Sequence, residues 1–515
     1  MAQKRSSTRR RRAPAFPDRI FALASPRSIG GRSLFDPGVL TEASNVAAFA
    51  SDDDVVARAV DLLAGAGFEV LQSTSLMINI AGPRELFEEA FATSLVAEER
   101  TVIKGGGEEA EATFFDSPET DVRGLVSTDG TRFEAVLEGV AIEEPTFPTA
   151  TAMPPSVPYF HLDVPAGVAM ACNASAAHRA GTTGTGVAVA MVDTGWARQP
   201  WFTAHGYRID PVVLGPGTSD AAGDENGHGT GESANVFATA PDCTLKPVKA
   251  ATASGALVNM TAAFNAAVAL GPDIISNSWS ADIRSGPLSA ADQARAAAVA
   301  SAWAAGIVVV FAAGNGHWGF PGQHPDVVSV GGVAIDQAGA LRASDYASGF
   351  DSEIYPGRRL PDVSGLVGLL PRAELIMLPI PPGCAIDRDL AGGTFPEGDE
   401  TGPDDGWAVF SGTSAACPQV AGVCALILQA CPRLGPAEVR ELLTTTARDV
   451  TTGTNHPNFG NEAVPGPDNA TGAGLVDAQK AVLLAKLRCS TTPAGPGPLG
   501  PEDVAMIERL MLGGT

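Results

Sequence analysis

Four polar residues stand where predicted strands end or predicted helices begin, and together they have the side chains that nucleophilic catalysis needs. They are Asp193, His228, Asn315 and Ser414. A serine hydroxyl becomes a useful nucleophile when a histidine takes its proton and a carboxylate fixes the histidine tautomer. An asparagine amide supplies a donor for the oxyanion of a tetrahedral intermediate. The set therefore predicts acyl-transfer chemistry.

Each of these residues has a simpler interpretation when it is taken alone. Ser414, in FSGTSAACPQVAG (410–422), also suits the N-cap of a buried helix. Asp193 lies in Asp-Thr-Gly, but the second such motif that an aspartic protease needs does not occur. His228 is one of seven histidines, and Asn315 by itself is typical of a turn. The stretch GTTGTG comes before its strand and not after it, which excludes a dinucleotide-binding loop.

Taken in order, the motifs resemble those of the subtilisin-like serine proteases, the subtilase family. The four matching blocks are Asp-Thr-Gly (193–195), His-Gly-Thr (228–230), Ala-Ala-Gly-Asn (312–315) and Gly-Thr-Ser-Ala-Ala-Cys-Pro (412–418). DIISNSWS and FPGQHPDVVSVGGV resemble the two blocks that flank the asparagine signature. The resemblance covers residues 165–487, and the chain order Asp, His, Ser is that of subtilisin.

This resemblance implies a role for each residue in peptide-bond hydrolysis through an acyl-enzyme. Ser414 is the nucleophile, His228 the general base and then the acid, and Asp193 the carboxylate that orients the histidine. Asn315 and the backbone N–H of Ser414 form the oxyanion hole. The residues expected to line the substrate cleft are Ser278, Trp279, Ser280, Ala313 and Gly314. With an ordinary histidine, activity should rise through one ionisation near pH ~6.5.

Three features depart from the family pattern. Gly231 replaces the histidine that many subtilases carry there, outside the proton path. The stretch before TLKPVKA (244–250) is too short for the calcium loop of many relatives. An insertion at 383–407 carries seven acidic residues and is expected to be a solvated loop, with a calcium site or a rim for basic substrates as alternatives. We expect no cofactor in the chemistry and assign no metal ligands, and a structural calcium ion has no recognisable site.

The elements that position these residues are those of an α/β protein. Buried strands are predicted at 186–193, 244–250, 273–279, 306–314 and 326–334, with alanine-rich helices between them. This alternation predicts a parallel sheet flanked by helices on both faces, and a site beyond the carboxyl ends of its strands. The subtilisin-like catalytic domain is expected to span 165–489, followed by a Pro/Gly linker and a short helix at 490–515.

A small ferredoxin-like α+β domain is predicted before the catalytic domain. Residues 45–104 have the order β-α-β-β-α-β, beginning with a strand at 45–50, and the domain is bounded at 45–125. A basic, disordered tail is expected at 1–44. Subtilases are commonly made with a ferredoxin-like propeptide that assists folding and blocks the cleft. The resemblance therefore implies an intramolecular inhibitor, with an unrelated α+β domain as the alternative.

The segment between the two domains, 126–164, is predicted to be a linker. It contains five prolines within 143–158, and proline favours the extended backbone that a protease cleft accepts. Self-cleavage is therefore expected within 141–170.

Composition and charge limit the classes of partner and the cellular location that we expect for this protein. A net charge of −24 argues against a nucleic-acid surface, and no apolar run approaches the ~18 residues of a membrane span. The N-terminal MAQKRSSTRRRR is not followed by the apolar stretch of a cleaved signal. Seven cysteines without C-x-x-C spacing predict reduced thiols. We expect a cytoplasmic protein, with secretion by another route left open, and partners that are peptides or proteins but neither nucleic acid nor membrane.

Two hypotheses of function follow from the sequence. The first is a serine endopeptidase, made as a proenzyme that processes itself. The alternative is a catalytically retired subtilase fold that serves as a binding or scaffold protein. Retired proteases usually lose a member of the triad, whereas all four positions named above are filled in this chain.

Overall fold

The computed structural model describes residues 16–42, 44–103, 109–146 and 153–491. The chain divides into two compact units, Met1–Ala150 and Thr151–Thr515. The first 15 residues of the predicted basic tail, residues 147–152 of the predicted cleavage region and the helix predicted within 492–515 lie outside the described residues.

The N-terminal unit packs two helices against a sheet around its own hydrophobic core. Its strands are β1 Ile20–Pro26, β2 Glu69–Ser73, β3 Ile78–Gly82, β4 Val96–Ile103, β5 Glu109–Asp116, β6 Leu125–Val126 and β7 Leu137–Ile142. Its helices are α1 Asp53–Ala66 and α2 Arg84–Phe91. The main sheet has the order β2-β3-β1-β7-β6 with antiparallel neighbours, and β4 pairs with β5 in a separate hairpin.

Two strands of the main sheet are not the predicted ones. Within residues 45–50, Val46–Phe49 form a 3-10 helix, which follows a turn in which the Asn45 carboxamide accepts from the Glu42 N–H at 2.8 Å. The first strand is instead β1, in the segment predicted as a tail. The last strand of the sheet core is β7, in the segment predicted as a linker, while the predicted last strand forms β4 of the hairpin. The predicted boundaries of 45–125 therefore omit both strands.

The C-terminal unit alternates strands and helices. Its strands are β8 Leu162–Asp163, β9 Ala188–Asp193, β10 Arg208–Ile209, β11 Val213–Leu214, β12 Thr244–Lys249, β13 Ile274–Asn277, β14 Ala281–Asp282, β15 Val308–Ala312, β16 Gly319–Phe320, β17 Val328–Ile335, β18 Leu341–Ala343, β19 Val363–Leu366, β20 Ile376–Pro379 and β21 Trp407–Val409. Its helices are α3 Ala166–Ala171, α4 Ala174–Arg179, α5 Pro200–His205, α6 His228–Thr239, α7 Met260–Ala269, α8 Ala290–Ala304, α9 Ala385–Leu390, α10 Thr413–Ala430, α11 Pro436–Thr446 and α12 Ala478–Thr491.

The predicted parallel sheet with helices on both faces is confirmed. The strand order is β10-β12-β9-β13-β15-β17-β18, with β11 beside β12 and β19 beside β17, and β18 alone runs antiparallel to its neighbour. Successive side chains of β9 point to opposite faces. Val189 and Met191 join the core cluster of α6 and α10, whereas Ala190 and Val192 join that of α7 and α8.

Helix α10 is the central helix of the first of these cores. It is 18 residues long and apolar enough to cross a membrane by length and composition, contrary to the sequence-based expectation, but 83% of it is buried inside the fold. Its Gly422 meets α6 so closely that an added Cβ would lie 2.0 Å from Thr239 Oγ1 and 2.8 Å from the Val236 carbonyl oxygen. Only glycine permits this separation of the two helices.

One disulfide corrects the expectation of seven reduced thiols. Cys431, at the end of α10, is bonded to Cys489 on α12. The five free cysteines among the described residues are all buried, namely Cys172, Cys243, Cys384, Cys417 and Cys424. The two bonded positions are separated by 58 residues, a pairing that spacing within a motif does not reveal.

Replacing Gly422 by alanine is expected to lower the free energy of unfolding by about 1–3 kcal/mol, the range for overpacking a core. The added methyl group forces α6 and α10 apart. Denaturant unfolding measures the effect, and Gly65→Ala is the control, because that helical position has open space around its Cβ. The control should be neutral or slightly stabilising. Equal stability of Gly422→Ala and the parent protein would contradict the close contact.

Candidate active site

Three strand ends and two helix starts meet at one cleft in the C-terminal unit. β9 ends at Asp193, β13 ends before Ser278 and β15 ends before Asn315, while α6 begins at His228. Since these strands are parallel, their carboxyl ends lie at the same edge of the sheet. The predicted site residues that line the cleft are Asp193, His228, Ser278, Trp279, Ser280, Gly314, Asn315 and Ser414.

Ala313 is the predicted site residue that does not line the cleft. It is fully buried, and its backbone N–H donates to the Val330 carbonyl oxygen at 2.9 Å. Its neighbour Ala312 lines the cleft in its place. Ala313 therefore has a structural role, because its hydrogen bond joins the end of β15 to β17.

Asp193 and His228 are joined by a short hydrogen bond. His228 Nδ1 lies 2.7 Å from Asp193 Oδ1, which also accepts from the Thr194 N–H at 2.7 Å. The aspartate is buried, and the imidazole is about one-fifth exposed, at 22%. A proton on Nδ1 satisfies this bond and leaves Nε2 as the nitrogen that can accept another proton.

The electrostatics of the cleft favour a charged His228. Burial acts to lower the pKa of His228, but the charge and hydrogen bond of Asp193, together with the charges of Glu232 and Asp224, raise it to about 9. The expectation of an ordinary histidine that titrates near neutrality therefore does not match this site. The shift has the direction expected for an imidazole among carboxylates.

Ser414 stands in the first turn of α10, next to the strand end at Ser278. Its Oγ lies 3.5 Å from the Ser278 carbonyl oxygen, and Ser278 Oγ in turn donates to the Ser414 carbonyl at 2.8 Å. Within the described residues, no hydrogen bond joins Ser414 Oγ to His228. The N-terminus of α10 carries a partial positive charge, which favours an anion beside Ser414.

The Asn315 side chain is held in one orientation by Thr413. The backbone N–H and the hydroxyl of Thr413 both donate to Asn315 Oδ1, each at 2.9 Å. The amide NH₂ is thereby left to point away from these donors. The Gly314 N–H donates to the same threonine hydroxyl at 3.3 Å. Thr413 lies inside the serine motif but was not among the predicted site residues.

The wall of the cleft rests on the hydrophobic core. Trp279 is buried, and its ring packs edge-on against Phe311 with centroids 5.0 Å apart. Ser280 Oγ is 2.7 Å from Nε2 of His317, a cleft residue that the sequence analysis did not single out. The cleft wall thus presents a serine and an imidazole above a tryptophan that is largely core.

Asp224, four residues before His228, fixes the start of α6. One of its oxygens accepts from Thr194 Oγ1 at 2.8 Å and the Gly227 N–H at 3.0 Å. The other accepts from the N–H and the hydroxyl of Thr230 at 2.8 and 2.7 Å. The loop is thereby tied both to the strand end at Asp193 and to the first turn of α6. An aspartate just before a helix was a usable signal in the sequence.

Lys249 also stabilises the loop that precedes α6. It ends β12 in register with Asp193 of β9, and its side chain is fully buried. Its ammonium group donates to the carbonyl oxygens of Asp220 and Gly223 at 3.0 and 2.9 Å, and to Glu225 at 2.8 Å. A buried lysine needs such partners, and here three of them hold the loop in place.

The acidic insertion at 383–407 also contacts this loop. Its helix α9 begins with N–H groups of Ala385 and Ile386 that donate to the carbonyls of Glu225 and Asn226, at 3.0 and 3.1 Å. Gly227, at φ +93°, leaves room for the sulfur of Cys384, which would lie 2.3 Å from an added Cβ. The insertion is therefore packed against the residues that precede His228.

Two of the seven acidic side chains in the insertion are structural, so the expectation of a solvated loop was wrong for them. Asp387 and Asp399 are fully buried. Asp387 accepts from the N–H groups of Gly383 and Gly406, and Asp399 accepts from the Val409 N–H. In the part of the chain that the structure describes, no group of three or more His, Cys, Asp and Glu side chains is arranged to hold a metal ion.

Comparison with known proteins identifies the family. Residues 184–474 match the model of the subtilase family. M-protease of Shouchella clausii (strain KSM-K16) is 27% identical, over 80% of this chain and 98% of its own length. Subtilisin Savinase of Lederbergia lenta is 28% identical, over 62% and 98%. Among solved structures, sphericase matches at 24% identity with a TM-score of 0.41, covering 57% of this chain and 92% of its own.

These relatives correct the predicted location. The similar subtilisins and alkaline proteases are secreted extracellular enzymes, so the cytoplasmic location expected from the sequence is wrong. The disulfide between Cys431 and Cys489 agrees with the correction, because disulfides persist mainly in oxidising compartments.

The segment matched by the family model contains all four signature blocks and is more than half of the 515 residues. Its relatives are proteases by name. The chain belongs to the subtilase family and is a subtilisin-like serine endopeptidase whose substrates are peptides or proteins.

Proposed function

We propose that this endopeptidase works through an acyl-enzyme on Ser414, with His228 as general base and Asp193 as its orienting carboxylate. The observation that carries the proposal is the 2.7 Å contact between His228 Nδ1 and Asp193, in the cleft that Ser414 also lines. This contact fixes the tautomer in which Nε2 accepts the serine proton. All the groups involved belong to the chain itself, and the proposed chemistry uses no cofactor.

In the proposed reaction, Ser414 Oγ leaves its weak contact with the Ser278 carbonyl and attacks the substrate carbonyl carbon. Its proton moves to His228 Nε2. The oxyanion then accepts from the Asn315 amide and the Ser414 backbone N–H, aided by the positive end of α10. His228 passes the proton to the leaving amine, and water attacks the acyl-enzyme by the same route in reverse.

Covalent labelling of Ser414 tests the proposal. A fluorophosphonate should label the wild-type enzyme, which should also cleave a denatured protein substrate. Ser414→Ala should do neither, because the nucleophile is absent. Ser285→Ala, at an exposed serine outside the cleft, is the matched control and should behave as wild type. An unlabelled, inactive wild-type enzyme that is fully folded would indicate a retired protease.

Asn315→Ala should lower kcat with little change in KM, because its amide binds charge that exists only in the transition state. The expected loss is about 10²–10³-fold, the range known for the equivalent asparagine of a subtilisin. Thr413→Val, which removes one of two donors to Oδ1, should cause a smaller loss. Steady-state kinetics decide this. A raised KM with unchanged kcat would mean that Asn315 contacts only the ground state.

We further propose that the N-terminal unit is a propeptide that stays bound as an inhibitor after cleavage. The proposal is supported by the β7-β1-β3-β2 order of its sheet, which is the ferredoxin-like order expected of a subtilase propeptide. Residues 143–146 and 153–158, after the end of β7, contain no helix or strand. Tyr159 is anchored, with its ring stacked 4.4 Å from Phe395 and its hydroxyl on the Asp399 carbonyl.

Self-cleavage is therefore expected between residues 143 and 158, inside the wider 141–170 interval expected from the sequence. Incubated wild-type enzyme should yield two fragments, and N-terminal sequencing of the larger one locates the cut. Ser414→Ala should remain intact under the same conditions, and adding wild-type enzyme in trans shows whether the segment is accessible. If an active enzyme stays at 515 residues through long incubation, the N-terminal unit is a permanent domain.

A further inference from the structure

Glu232 is a buried glutamate beside His228 that the proposed reaction does not use. It lies one helical turn further along α6, and its side chain is 0% exposed. Its Oε1 is 3.8 Å from His228 Nε2 and, within the described residues, has no hydrogen-bond partner. Buried carboxylates are rarely left without partners. The imidazole is therefore the group with which this oxygen can interact.

The imidazole consequently has a carboxylate on each side. Asp193 is hydrogen-bonded to Nδ1 at 2.7 Å, and Glu232 faces Nε2 at ion-pair distance. A separation of 3.8 Å is too long for a hydrogen bond, so the interaction with Glu232 is one of charge. Two carboxylates at these distances favour the imidazolium over the neutral ring.

A chain of amides fixes the position of Glu232. Its Oε2 accepts from Asn235 Nδ2 at 2.9 Å, and Asn235 Oδ1 accepts from Gln419 Nε2 of α10 at 3.2 Å. Gln419 Oε1 accepts from the Leu366 N–H of β19 at 2.7 Å. All the side chains of this chain are buried. Glu232 therefore cannot turn to solvent without losing its bond to Asn235, the residue that links α6 to α10.

Few other titratable groups face this pair among the described residues. β9 contributes Asp193, and α10 contributes Cys417, whose pKa burial raises to about 12, so that it stays neutral. Asp224, in the loop before α6, acts on His228. From α4, His178 bonds the Thr239 carbonyl at the far end of α6. The residues of α3 and β20, which also pack on α6, carry no titratable side chains.

Given the proposed function, we propose that Glu232 is a positioning residue for His228: once ionised, its carboxylate favours the charged imidazole and stabilises the imidazolium that forms when Ser414 gives up its proton. Glu232 exchanges no proton with the substrate. In each turnover the serine proton goes to Nε2 and from there to the leaving amine.

This arrangement places the working range of the enzyme in alkaline solution. Burial, with the charge of Asp193, raises the pKa of Glu232 to about 8 against the opposing effect of His228, while the pKa of His228 is raised to about 9. The two side chains therefore hold two protons at neutral pH and release them as a coupled pair. His228 can act as a base only after Nε2 has lost its proton, so activity rises on the alkaline side.

The pH dependence of kcat/KM tests the proposal, since it reports the ionisations of the free enzyme. Glu232→Gln should move the acid limb to lower pH by about one unit, and lower the limiting kcat severalfold, because a counter-charge is lost. Asn235→Ala should move the limb in the same direction by a smaller amount, because Glu232 then loses a donor that favours its charged form and stabilises the imidazolium less. Glu374→Gln, at a buried glutamate outside the cleft, should leave it unchanged.

A titration of His228 by NMR gives a second measurement that does not depend on activity. In histidine-labelled Ser414→Ala protein, with His228→Gln for assignment, Glu232→Gln should lower the midpoint of His228 by a similar amount. If peptide hydrolysis and Ser414 labelling both fail, the proposed function fails, yet this titration still decides the role of Glu232. Coincident midpoints in Glu232→Gln and the parent overturn the proposal. If Glu232→Gln does not fold, the sign of the Asn235→Ala shift decides.

Discussion

The close contact between α6 and α10 is the constraint on which the active site depends. Each helix carries one residue of the site in its first turn, His228 on α6 and Ser414 on α10. Gly422 lets the helix backbones approach without a side chain between them, and Gln419 links α10 to Asn235 of α6. Because helices are stiff over this length, the contact in their middle sets the separation of their N-termini. Catalytic geometry is thus determined by packing more than two turns away from Ser414.

The site also concentrates buried charge, which a fold tolerates only when partners are supplied. Asp193 has the imidazole and the Thr194 N–H, and Asp224 has four donors. Lys249 has three acceptors. Asp193 Oδ2 and Glu232 Oε1, in contrast, have no hydrogen-bond partner among the described residues. The two carboxylates beside the imidazole thus each leave one oxygen unpaired, whereas both oxygens of Asp224, which fixes the loop, accept hydrogen bonds.

The sequence predicted the parallel sheet and the residues of the cleft because each signal lies in a short contiguous block. Asp193, His228, Asn315 and Ser414 are each recognisable from their immediate neighbours. The roles of Glu232 and Lys249 were not predictable, because burial and partners distant in sequence give them their meaning. The same holds for β1, which pairs with β3 and with β7 across long stretches of chain. The disulfide between positions 58 residues apart was missed for this reason as well.

The insertion at 383–407 has a consequence for how this enzyme can be altered. N–H groups at the start of its helix α9 donate hydrogen bonds to the carbonyls of Glu225 and Asn226, and the sulfur of Cys384 occupies the space beside Gly227. Deleting the insertion would remove these contacts and leave a cavity beside residues 224–227, which position the catalytic His228. A shortened version would need a redesigned loop at 224–227. Foreign sequence is better accommodated at the exposed turn around Pro403 and Asp404, which carries none of these contacts.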